Sequence, residues 1–250
     1  MQKIAVALLI CAALVCSSRE AAAQWTDRGY INFSTGIESH SSDLNDTRNY
    51  VLYDEPATTT TSSTVSSGNI ISFGGGVRVF RNLSVGGEYH MENNKTDVAI
   101  TGSVPNPIFF NRPRPLNATV PQLQRKESAG HLQFGWMVPV GAKFDVLAFG
   151  GPSWFRIEQE VVSDVVIAER GLPFTEVVVQ PTVVNRKQSV VGYNVGVDAT
   201  YIIWQNDRVR LGAGGFLRYS AAKANVLLMT NEVGADAGGV QYGIGARFRF

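Results

Sequence analysis

Apolar side chains recur at every second position in eight stretches of the chain. That period belongs to strands with one apolar and one polar face, not to helices. In the first stretch Ile31, Phe33, Thr35 and Ile37 oppose Asn32, Ser34, Gly36 and Glu38. Ile71, Phe73, Val77 and Val79 oppose Ser72, Gly74, Gly76 and Arg78, and Leu83, Val85, Tyr89 and Met91 oppose Ser84, Gly86, Glu88 and His90. The fourth sets Leu132, Phe134, Trp136 and Val138 against His131, Gln133, Gly135 and Met137. The fifth puts Leu147, Phe149, Phe155 and Ile157 on one face, over a second face (Val146, Ala148, Gly150, Trp154) that is scarcely more polar. The sixth sets Val191, Tyr193, Val195, Val197 and Tyr201 against Gly192, Asn194, Gly196 and Asp198. The last two set Val209, Leu211, Leu217 and Tyr219 against Arg210, Gly212, Gly214 and Arg218, and Val240, Tyr242, Ile244, Phe248 and Phe250 against Gln241, Gly243, Gly245, Arg247 and Arg249.

The connections alternate in length. Phe80–Asn82, Gly141–Phe144 and Trp204–Asp207 read as tight turns, whereas Ser39–Gly68, Glu92–Gly130, Gln159–Lys187 and Ala222–Gly238 read as long loops. In an up-and-down sheet every long loop then falls on one rim, as in outer-membrane barrels. The expected fold is all-β, an eight-stranded antiparallel up-and-down transmembrane β-barrel.

The start of the chain sets the compartment. Lys3 precedes the apolar run Ile4–Cys16, and Ala21 and Ala23 offer an A-x-A site with cleavage before Gln24. Residues 1–23 therefore read as a signal peptide and 24–250 as the mature protein. The run is too short to cross a bilayer as a helix. Both cysteines, Cys11 and Cys16, lie inside it, so the mature chain has neither a disulfide nor a thiolate metal site. Cleavage removes Lys3, Arg19 and Glu20, which takes the formal charge from +1 to 0. A neutral chain lacks the basic surplus that nucleic acid requires, so no nucleic-acid partner is expected. The charged fraction, 17%, is low for a soluble domain.

A soluble barrel would also alternate, with its apolar face inward. Glycines interspersed with Arg78, Glu88, Asp198, Arg210, Arg218, Arg247 and Arg249 suit a narrow filled lumen, because eight strands leave room only for side chains. Buried charge without a partner is costly, so Arg78, Arg210, Arg247 and Arg249 are expected to pair with Asp198, with Glu88 higher in the barrel. Tyr201, Tyr219, Phe248 and Phe250 sit towards strand ends, as an interfacial aromatic girdle would. These features assign Val195 to the outside and Asn194 to the interior.

The final residues, "YGIGARFRF", place Tyr242, Ile244, Phe248 and Phe250 on one face and stop on Phe250. They resemble the C-terminal signature of the OmpA-like eight-stranded outer-membrane barrel family of Gram-negative bacteria, over essentially all of residues 24–250 but without a peptidoglycan-binding domain. That resemblance implies a bacterial outer-membrane location. It implies outer-membrane lipid and lipopolysaccharide as surroundings, the barrel assembly machinery as a partner during insertion, and a surface ligand reached through the loops. The function expected is a non-enzymatic structural or surface-interaction role. A narrow porin-like solute channel and a lipid-modifying enzyme are the alternatives.

Motifs for chemistry are sparse. Some small outer-membrane barrels use a His and a Ser on one strand, but His90 is followed by Met91 and Glu92, and His131 by Leu132 and Gln133. His40, His90 and His131 do not show metal-ligand spacing. No catalytic, metal or cofactor-binding residue is assigned, and no cofactor is expected. Pro56–Gly68 is a Thr/Ser tract that reads as a polar loop, and Val104–Leu123 joins five prolines to Ile108, Phe109 and Phe110. The second is either a binding surface or a cover over the barrel mouth.

Overall fold

The computed structural model describes residues 25–39 and 41–250. The expected signal peptide, with Ala21, Ala23 and Gln24, lies outside the described residues, as does His40. Among the described residues no helix is long and apolar enough to cross a membrane.

Eleven strands form one antiparallel sheet: β1 (Gly29–Ser39), β2 (Ser42–Leu52), β3 (Glu55–Val65), β4 (Gly68–Phe80), β5 (Leu83–Val104), β6 (Arg114–Pro139), β7 (Phe144–Glu169), β8 (Val177–Gln205), β9 (Arg210–Leu227), β10 (Glu232–Ala237) and β11 (Val240–Arg249). The ladder runs β2-β3-β5-β4-β1-β11-β9-β8-β7-β6, β5 also pairs β6, and β10 pairs β9. β11 lies against β1 from Tyr30↔Arg249 to Ser39↔Val240.

This corrects the expected eight-stranded up-and-down barrel: the strands number eleven and are not evenly arranged round one axis. The physical reason is strand length. β1, β4 and β11 have 11, 13 and 10 residues, whereas β5, β6, β7 and β8 have 22, 26, 26 and 29. Stretches that read as loops are instead strand. The Thr/Ser tract forms β3, which pairs β2 along its length and then β5 through Thr58↔Ser103 to Ser62↔Ala99. Thr tolerates this because a β-branched side chain suits a pleated surface whatever its polarity. Only residues 105–113 and 170–176 remain as extended connections at the far end of β5–β8.

The polarity of the sheet inverts along its length, and β6 shows it best. Near its start Leu116 and Leu123 point inward and are buried, while Asn117, Gln124 and Lys126 are exposed. Near its end His131 and Gln133 are buried, while Phe134 and Trp136 are exposed. A register shift between Thr96 and Val98 of β5, opposite Gln122 at φ 57°, lets the ladder continue through a change of parity. The far half thus has a conventional core of Ala57, Val98, Ile100, Val104, Leu116, Leu123, Val162 and Val165. The near half carries a girdle of exposed side chains, among them Phe33 (54%), Phe73 (59%) and Ile244 (71%), around an interior that buries Arg218, Arg247 and Arg249.

The fifth stretch departs from that girdle. Leu147, Phe149, Phe155 and Ile157 all point inward and are buried, and Trp154 takes the outer face. They close the bottom with Trp25, Tyr30 and Met137 and flank the histidines higher up.

Candidate functional site

Polar side chains stack in tiers inside the near half, one from each inward position of neighbouring strands. In the lowest tier Arg210 of β9 meets Asp27, and its Nη2 lies 3.3 Å from Asp145 of β7. Above it, Arg247 of β11 donates through Nε to both oxygens of Asp198 at 3.0 and 2.9 Å. Arg249 stands 3.7 Å from the same carboxylate and donates to Asn32 and Thr200, each at 2.8 Å. Arg218 donates to Glu88 at 2.6 Å, and Gln133 to the other Glu88 oxygen at 3.1 Å. Arg78 is half-buried and donates to the Trp25 carbonyl. The seven charged residues singled out in the sequence therefore fall into separate groups, not one lattice. Arg78 and Arg210 stay apart from Asp198.

A tier that the sequence did not suggest follows. His90 Nδ1 lies 2.8 Å from His131 Nε2, and His131 Nδ1 lies 2.7 Å from Ser153 Oγ. The rings stack with centroids 4.9 Å apart. Asn194 donates to Ser153 Oγ at 2.9 Å and to the Gly151 carbonyl at 3.0 Å. Ser153 faces His131 in the β6–β7 register, so a His–Ser contact exists across strands although none exists along one. Sequence spacing along a strand carries no record of a cross-strand partner. Ser153 is wholly enclosed, which makes the contact a packing and orienting bond.

Where the girdle ends, Glu38 of β1, Glu92 of β5 and Glu127 of β6 converge beneath the far core. Arg125 donates to Glu127 at 3.0 Å and the Gly238 amide donates to its other oxygen at 2.8 Å. Gln241 donates to Glu38. His90 Nε2 faces this cluster at 3.9 Å from Glu38 Oε2 and has no hydrogen-bond partner among the described residues. One ligand atom each from Glu38, His90 and Glu127 lies within 4.8 Å of the others.

No protein-family model matches the chain, and no curated protein matches it. Among solved structures it is similar to Neisserial surface protein A, at 12% identity and TM-score 0.40, covering 88% of this chain and 95% of that one. It is similar at the same TM-score to the outer membrane protease OmpT from Escherichia coli, at 11% identity, covering 93% of this chain and all of that one. The likeness to known outer-membrane proteins is remote. The OmpA-like membership expected from the C-terminal residues is corrected on two counts: no family model supports it, and the uneven eleven-stranded sheet is not that fold. The OmpA-like barrel role and the porin-like solute channel attached to that reading fall with it. So do lipopolysaccharide and the assembly machinery as partners. Tyr242, Ile244 and Phe250, read as an assembly signal, are part of the exposed girdle, with Phe248 half-buried beside them.

Proposed function

We propose that the chain is a non-enzymatic protein of the bacterial outer membrane that holds a preformed β-structured head in the aqueous phase. The observation that carries this reading is the inversion along β6. Apolar side chains exposed over buried arginines are stable only in an apolar medium, because both patterns reverse the sign of the transfer energy in water. The same strand then buries Leu116 and Leu123 under exposed Asn117 and Gln124, which requires water outside. On this reading the boundary between the two media lies near Glu127.

The head is packed and braced. Arg114 donates to both oxygens of Glu169 at 2.6 Å and to the carbonyls of Pro105 and Phe174, which fastens the two end connections together. Arg48 of β2 meets Asp164 of β7 at 2.7 Å and ties the β2–β3 hairpin to the long strands. Ile108, Phe109 and Phe110 stand exposed at the far end. A non-catalytic role is favoured by the enclosure of Ser153, His131 and His90, which leaves no reacting atom open to a substrate.

The test is fractionation of Gram-negative cells producing the chain, followed by protease added to intact cells. The protein should sediment with outer membranes and be cut within residues 105–113 and 170–176. Recovery as a soluble periplasmic protein would refute the reading.

A further inference from the structure

We propose that Glu38, His90 and Glu127 bind a single divalent transition-metal ion, with Zn²⁺ preferred. The cluster of carboxylates is one observation, and the orientation of His90 is a second that does not depend on it. The His90 ring is fully buried, its Nε2 is unpartnered among the described residues, and that atom points at the carboxylates. A buried imidazole nitrogen left without a bond costs stability unless something completes it.

The rest of the ring is arranged as a ligand requires. With a metal at Nε2 the His90 proton would sit on Nδ1 and be donated to His131 Nε2 at 2.8 Å, with His131 Nδ1 donating to Ser153 Oγ at 2.7 Å. Metal-bound histidines characteristically give their second nitrogen to such an orienting partner. Arg218 Nη2, a donor only, also stands 3.2 Å from His90 Nδ1: without a metal Nδ1 can accept from it with the ring proton on Nε2, and with a metal at Nε2 Arg218 keeps its bond to Glu88 alone.

Charge fits as well. The tier and its neighbours hold four carboxylates, Glu38, Glu88, Glu92 and Glu127, against two guanidiniums, Arg125 and Arg218. With all four ionised the excess would be two negative charges, which a divalent cation would cancel as it displaces the carboxyl protons. An imidazole nitrogen with two carboxylates is a borderline donor set that suits Zn²⁺ over Mg²⁺ or Ca²⁺, which take oxygen alone. Ligand bonds of about 2.1 Å put neighbouring donors about 3.4 Å apart in a tetrahedron. Small side-chain rotations of the two glutamates therefore close the present arrangement, in which the three atoms lie within 4.8 Å of one another.

The experiment uses the full chain, purified folded and stripped with a chelator, with Zn²⁺, Mn²⁺ or Mg²⁺ as the only added ligand. Equilibrium dialysis should give one Zn²⁺ per chain, weaker Mn²⁺ binding and no saturable Mg²⁺ binding. Zn²⁺ should also raise the unfolding temperature. His90→Gln and Glu127→Gln should each weaken Zn²⁺ at least roughly tenfold, whereas Glu158→Gln, at an exposed pair, should leave it unchanged. Co²⁺ should give a ligand-field absorption band in the wild type that His90→Gln abolishes. Absence of saturable binding, or Zn²⁺ binding indifferent to His90→Gln and Glu127→Gln, would overturn the proposal and leave a cluster that holds protons alone.

Discussion

Arg247 grips Asp198 through Nε at 3.0 and 2.9 Å, and neither side chain reaches solvent. The pair spans the interior from β11 to β8, and Arg249 leans on the same carboxylate. Removing Asp198 leaves two buried guanidiniums with one charge partner fewer. Asp198→Asn should therefore destabilise the chain by about 3–5 kcal/mol, read as a shift in the chemical-unfolding midpoint. Asp198→Leu combined with Arg247→Met should recover much of that loss, since the double change deletes the charges as well as their attraction. A single substitution without effect would mean that the interior is hydrated.

Glu169 and Arg114 give the head its pH dependence. The Arg114 hydrogen bonds hold the Glu169 carboxyl below the usual carboxylate range, against the opposing effect of burial. A depressed folded-state value contributes stability that is present above about pH 4.5, the ordinary range for Glu, and is lost as pH falls through the folded value. Acidification below that point should loosen residues 105–113 and 170–176 before the near half responds. Limited proteolysis across the acid range should show it. In Glu169→Gln the end should be equally susceptible across that range, because the titrating partner is gone.

Gly245 sits where β11 approaches β1 most closely. A Cβ there would lie 1.9 Å from the Phe33 carbonyl, a backbone atom that cannot rotate aside. Gly245→Ala should cost about 1–3 kcal/mol or more through overpacking. By contrast, Gly234 and Gly130 have no atom within 4 Å of such a Cβ, so alanine at either should be nearly neutral. Comparable losses at all three would mean that flexibility, not close approach, explains the glycines.

How much of this was legible in the sequence depends on which physical signal each element leaves. Strands with unlike faces announce themselves: Phe33 and Ile37 on β1, Phe73 on β4 and Ile244 on β11 all stand on the outer side their parity implies. β7 has apolar residues on both faces, so parity could not tell Phe155, which packs inside, from Trp154, which does not. β3 fails for the opposite reason. Its Thr and Ser residues are polar on both faces, yet Thr59 and Thr61 are buried on the inner face. The candidate site was least visible. Glu38, His90 and Glu127 come from three strands, and the β1–β4, β4–β5 and β5–β6 registers bring their tiers level. A one-residue slip in any ladder would turn its member outward.

The polarity inversion makes a paired prediction. Val195 is 47% exposed on the girdle, while Asn117 is exposed on the head of the same sheet. Arginine at the first site places a charge in the apolar phase at a cost of about 3 kcal/mol. At the second it meets water and costs little. Val195→Arg should thus reduce the amount of protein recovered with outer membranes, and Asn117→Arg should not. The interior position beside Val195 offers no escape for the charge. Asn194 is buried and donates to Ser153 and to the Gly151 carbonyl, so Asn194→Arg should be at least as damaging, by overpacking and by unpairing those groups. Membrane fractionation of the three variants decides the matter. Equal recovery of Val195→Arg and Asn117→Arg would show that both halves lie in water, and the two-medium reading of β6 would fail.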